Sequence, residues 1–170
     1  MSEQDESEMF SPATPTENGV QRPADERQTR QRTIRQRKRA RRAAIQALFE
    51  IDSVNHAPGV VVDEHLSHGE LNEEGSRYFR WLVSGVVTNA SELDTQIHRY
   101  APEWPVDQLA IIDRNLLRLS LFELDAAETD APPKVVINEA VELGKELGTS
   151  SSASFINGVM HAIAQELSSV

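Results

Sequence analysis

The chain has 170 residues, no cysteine and a formal net charge of −10 at pH 7. The lack of cysteine excludes disulfides, thiolate catalysis and cysteine-ligated zinc, and it fits a cytoplasmic setting. No apolar run approaches membrane-spanning length, Met1 leads into acidic residues rather than a signal sequence, and the length suits one domain with no second large catalytic unit.

In chain order, residues 1–26 hold one base against seven acids, with Ser, Pro and Gly and almost no apolar content. Such a segment cannot offset the entropy of ordering and is expected to be a flexible acidic tail. Residues 27–42 carry nine cations and no acid, and residues 43–170 carry seven bases against twenty acids. That segregation points to a polyanionic partner confined to the basic arm, because the acidic body repels nucleic acid. Tethered beside the arm, the tail is expected either to compete weakly with RNA phosphates or to be inert.

The arm runs without Gly or Pro into Ala44, Ile45, Leu48, Phe49, Ile51 and Val54, whose helical spacing predicts a helix buried at its C-terminal end. Pro58-Gly59 is expected to stop it, and Val60 to Ser67 suits a two-turn helix. From Asn72, residues Tyr78, Phe79, Leu82, Val83, Val86 and Val87 fall three and four apart, predicting an amphipathic helix to about Asn89. Asn89 and Glu92 have capping-box spacing for the next helix, which carries Leu93, Ile97 and Tyr100. Pro102 and Pro105 interrupt the chain before the leucine-rich stretch from Leu109 to Leu124. Its apolar residues occupy two faces, so it is expected to be the buried centre of the C-terminal half. Pro132-Pro133 opens a helix closed by Gly148, and serines 150–152 cap a last helix through Phe155, Val159, Ile163 and Leu167. Gly158 reads as a site of close helix approach. The fold class is therefore all-α, about seven helices in two small bundles sharing a core.

Single-stranded RNA is held by cations on its backbone and by stacking on aromatic or guanidinium planes. Phe49, Tyr78, Phe79 and Phe155 are the stacking candidates, against the commoner core role of aromatics at helical spacing. Arg80 offers a phosphate contact or a surface ion pair. Asp113, Arg114, Arg118 and Glu123, set among leucines, are expected to pair with one another or to line a protein interface. His65 and His68 with Asp63, Glu64 and Glu70 approach metal-ligand spacing without an H-E-x-x-H pattern, and chance explains them better. No P-loop, G-x-G-x-x-G or nucleophile elbow occurs, so no enzyme, cofactor or metal is expected.

Several of these residues also form an ordered series. Arg37-Lys38-Arg39-Ala40-Arg41-Arg42 leads into Gln46-Ala47-Leu48-Phe49, followed by Tyr78-Phe79-Arg80 and Gly85-Val86-Val87-Thr88-Asn89. Asp113-Arg114-Asn115-Leu116-Leu117-Arg118, Phe122-Glu123-Leu124, the run Val136 to Leu143 and Phe155-Ile156-Asn157-Gly158-Val159 complete it. From about residue 35 to 168 the chain resembles the NusB family of transcription antitermination factors. The resemblance implies two three-helix subdomains and a non-enzymatic role. It implies binding of the boxA element of nascent ribosomal RNA with NusE, a small-subunit ribosomal protein, in a complex that loads on RNA polymerase with other Nus factors. It also allows a homodimer. It places RNA contacts at Arg37, Lys38, Arg39, Arg41 and Arg42, at Gln46 and Phe49, at Tyr78, Phe79 and Arg80, and at Ser151, Ser152, Phe155 and Asn157. The acidic tail and the arm's extension to Arg27 depart from the family's compact form.

Overall fold

The computed structural model describes residues 23–126 and 129–169, so most of the expected acidic tail lies outside the described residues. Its last residues belong to a helix. Helix α1 runs from Pro23 to Val54 as one 32-residue element, with Pro23 at its start and Asp25 and Glu26 in its first turn. Both features suit a helix N-terminus, where a missing N–H costs nothing and acids meet the positive end of the dipole.

Six further helices follow among the described residues: α2 (Pro58–Ser67), α3 (Glu73–Thr88), α4 (Ala90–Tyr100), α5 (Ile111–Asp125), α6 (Pro133–Leu147) and α7 (Ser152–Ser168). A single 3-10 turn, Val106–Gln108, lies between α4 and α5. No strand occurs among the described residues, and none of their helices is long and apolar enough to cross a membrane. Helices α1 to α3 pack together, α5 to α7 pack together, and α4 rests mainly on α5. One continuous core joins the two bundles, with Phe79, Leu82, Ile45, Leu116, Leu117, Ile156 and Met160 fully enclosed.

Helix α5 is the element shared by both bundles, a wider role than the buried centre of the C-terminal half that its two apolar faces predict. It contacts α1, α3, α4, α6 and α7, and it buries Leu116, Leu117, Leu119 and Leu121. Arg114, Arg118 and Glu123 are paired across helices rather than with one another, whereas Asp113 is buried with one carboxylate oxygen lacking a hydrogen-bond partner. Arg114 donates to Asp52 of α1 at 2.8 and 3.0 Å, Asn115 reaches the same carboxylate at 3.1 Å, and Arg118 grips Asp94 of α4 at 2.6 and 2.7 Å. These contacts fix α1 and α4 against α5.

Four local expectations need correction. Pro58-Gly59 does not stop α1; the chain turns at Asn55, whose φ of 55° is left-handed, and Pro58 begins α2. Asn89 makes no capping box with α4, because its side-chain N–H donates back to the Gly85 carbonyl at 2.8 Å and closes α3. Ser151 is the N-cap of α7 but makes no capping hydrogen bond from its side chain. Gly158 meets no neighbour; the close approach is at Gly85, where a Cβ would collide with the Phe122 ring. That ring packs on Trp81 with centroids 4.9 Å apart, so the missing side chain at Gly85 lets α5 seat its aromatic on α3.

Candidate nucleic-acid interface

The periodicity of α1 sorts its cations onto two faces. At 100° per residue, Arg30, Ile34, Arg37 and Arg41 share the side turned toward α3, α5 and the segment leading into α6, while Arg32, Arg35, Arg39 and Arg42 share the outer side. The two sets have different surroundings.

On the inner face Arg41 is only 4% exposed. Its guanidinium makes a two-pronged contact with Glu123, Nε at 2.9 and 3.1 Å and a terminal nitrogen at 2.5 Å, and Glu123 itself is fully buried. Burial opposes the charge on Arg41, but the Glu123 carboxylate outweighs it and holds the guanidinium pKa above its usual value. The Tyr78 hydroxyl donates to the same carboxylate. Burial, and then the negative charge of Glu123, push the Tyr78 phenol up to about 12. Arg37 completes the group, with its guanidinium carbon 5.0 Å from the Tyr78 ring centroid and a 2.5 Å ion pair to Asp130. This cluster ties α1, α3, α5 and the approach to α6 together. Its cations are already neutralised by protein.

The outer face is open. Arg32, Arg35, Arg39, Arg42, Gln46 and Phe49 are all exposed and recur at alternating steps of three and four residues, which aligns them in one ridge along α1. Arg42 pairs with Glu146 of α6, a contact about half open to solvent on both sides. Lys38 stands beside the ridge near Glu139 and Glu142, and Lys145 and Lys38 together keep the Glu142 carboxyl below its usual range. Phe49, 41% exposed, shares a cleft with Thr149 and Ser152 at the start of α7. The ridge therefore runs from guanidinium groups to an amide and ends at an exposed aromatic.

The expected site residues divide accordingly. Lys38, Arg39, Arg42, Gln46 and Phe49 lie on or beside the ridge, and the turn bearing Ser151 and Ser152 meets its aromatic end. Phe79 is fully buried and serves the core, which removes it as a stacking surface. Ser152 is also fully buried, where its hydroxyl accepts from the Thr149 N–H at 2.9 Å. Arg41 is consumed by Glu123, Arg37 is partly buried and pairs with the exposed Asp130, and Tyr78 is half-buried between them. Arg80 is exposed beside Asp63 of α2, 3.7 Å away. Phe155 packs partly on the core, and Asn157 is exposed on α7. His65 lies 3.6 Å from Glu50, and no described group of three His, Asp or Glu is arranged for a metal ion. Arg32 and Arg35 join the ridge although motif carry-over omitted them; the spacing i, i+3, i+7, i+10 is the signal that finds them.

The model of the NusB family matches residues 38–165. The chain belongs to the NusB family. A transcription antitermination protein NusB of Roseiflexus sp. (strain RS-1) is 44% identical over 128 residues, covering 75% of this chain and 90% of the relative. Its Bacillus licheniformis counterpart is 39% identical over 131 residues, covering 77% and 98%. Among solved structures, T. maritima NusB superposes with a TM-score of 0.70 at 34% identity, covering 76% of this chain and 91% of that one. A crystal structure of the antitermination factors NusB and NusE in complex with dsRNA gives 0.69 at 29% identity, covering 78% and 98%. The NusB-type match starts fifteen residues after α1 does.

Proposed function

We propose that the chain is a non-catalytic, RNA-binding transcription antitermination factor. With a NusE-type ribosomal protein it binds boxA of nascent ribosomal RNA in the cytoplasm and helps to load an antitermination complex, with other Nus factors, on RNA polymerase. The observation that carries this reading is the exposed part of the α1 ridge from Arg39 to Phe49. Its arginines present charge to a phosphate backbone, and its far end presents Gln46 and the Phe49 ring to bases. Family membership, and a relative solved with NusE and RNA, supply the partner class. The acidic body supports the same division of labour: RNA is confined to α1, and a basic protein is drawn to the acidic C-terminal half.

Titration of a boxA-type single-stranded RNA, with and without the NusE-type protein, tests the proposal. Affinity should fall with salt by about 0.7 log units per log unit for each phosphate neutralised, and the partner protein should tighten binding. A partner that neither binds nor raises affinity overturns the reading in favour of a helical scaffold with bulk charge attraction. Because Arg41 is structural, the informative variant changes Lys38, Arg39 and Arg42 to Gln and leaves Arg41 intact.

A further inference from the structure

The ridge does not end where the family match begins. Upstream of residue 38, Arg35 and Arg32 continue it at the spacing of Arg42 and Arg39, so four guanidinium groups stand in line over about 15 Å of helix. No ion pair to Arg32 or Arg35 is present among the described residues. Every residue from Pro23 to Arg32 is exposed. The first tertiary contacts lie on another side of the helix, where Thr33 donates to Glu74 at 3.1 Å and Gln36 accepts from the Asn72 N–H at 2.9 Å.

A short helical segment without tertiary cover is marginal in water, and like charges three and four residues apart weaken it further. Arg32 and Arg35, then Arg35 and Arg39, stand at those separations. What stabilises this projection is a ligand that neutralises it. A protein partner fits poorly, because the ridge between Arg32 and Arg42 offers no apolar residue for an interface core, and such cores are depleted in charge. A phosphate backbone fits well, since each guanidinium can hold a phosphate through two parallel hydrogen bonds.

We propose that Arg32 and Arg35 form an additional phosphate-binding subsite, beyond the family-matched region, that holds nucleotides flanking the RNA element bound along Arg39 to Phe49. The inference rests on the RNA-binding reading above and extends its footprint toward the free end of α1. Arg30 serves as the control, being on the face turned to Ile34, Val135 and Asp130 instead of the ridge.

The test uses the full chain and two RNAs, a boxA-type core and the same core with a short unstructured flank on either side. The flank should raise affinity several-fold at low salt and steepen the salt slope by about 1.4, from two phosphates at roughly 0.7 each. Arg32→Gln with Arg35→Gln should erase that gain, leave core binding unchanged and leave the melting temperature unmoved, since Gln keeps helix propensity and neither arginine supports the core. Lys at both positions should restore the slope, and Arg30→Gln should preserve the gain. A flank that adds nothing, a double Gln variant that retains the gain, or an equal loss from Arg30→Gln overturns the subsite while leaving core binding intact. Failure of both RNAs to bind overturns the RNA reading itself.

Discussion

The two faces of α1 use the same residue type for opposite ends. Arg41 is enclosed, paired to the buried Glu123 and joined by Tyr78; Arg39, two residues away, stands in solvent. A rotation of about 200° along the helix separates them. Arg41 acts as an internal cross-link, whose charge cannot be offered to RNA without first leaving the buried Glu123 carboxylate unpaired, while Arg37 is turned to the same face and pairs with the exposed Asp130. The outer ones have at most exposed protein partners of little energetic weight, as at Arg42 and Glu146, so a phosphate can displace them cheaply. Cation density shows that a polyanion is wanted; helical phase shows which cations can meet it.

The sharpest break in this contrast comes from the buried carboxylate. Glu123→Ala leaves Arg41 charged and unpaired inside the protein, and chemical denaturation should show a loss of about 3–5 kcal/mol.

Tyr78→Phe removes a single donor to that carboxylate and should cost about 1.5–3 kcal/mol, the usual range for a hydrogen bond to a charged group. It also carries a pH signature. The folded phenol titrates at about 12 against an ordinary 10.0, so folding favours the neutral form. That contribution is complete below pH 10 and is lost as pH rises toward 12. Denaturation at a series of alkaline pH values should show a smaller fall across this window in Tyr78→Phe than in the parent.

The outer face should be nearly silent in stability. Arg39→Gln and Arg42→Gln should each shift unfolding free energy by less than about 0.5 kcal/mol, because neither supports the core. A loss comparable to that of Glu123→Ala would place them among the cross-links and erase the contrast.

Much of this was legible in the sequence, and the limits have physical causes. Periodicity located six of the seven described helices because each buries a stripe whose spacing is set by 3.6 residues per turn, whereas α2 buries only Val61 and was suggested by its place after Pro58-Gly59. It also marked α5 as a buried centre from its two apolar faces, although for the C-terminal half alone and not for both bundles. Periodicity says which residues face inward but not what they meet. Hence the pairing of Glu123 with an arginine 82 positions earlier was not readable, and of the α5 charges expected to pair with one another, Arg114 and Arg118 find their partners on α1 and α4 instead. Gly158 and Gly85 look alike in sequence, and only the position of Phe122 distinguishes the glycine that needs to be one. Phe79 and Phe49 likewise differ by burial alone, the first enclosed beneath α3 and the second open at the end of the ridge. Motif carry-over grouped Arg41 with its neighbours because it follows sequence order, whereas helical phase separates them.

The most direct test of the central claim compares the two faces by the salt dependence of RNA binding. For a boxA-type RNA, Arg39→Gln with Arg42→Gln should flatten the plot of log affinity against log salt by about 1.4, two phosphates at roughly 0.7 each, while Arg37→Gln on the inner face leaves the slope at the parent value. An unchanged slope in the outer-face variant, or an equal flattening by Arg37→Gln, would contradict the assignment of RNA to the exposed ridge.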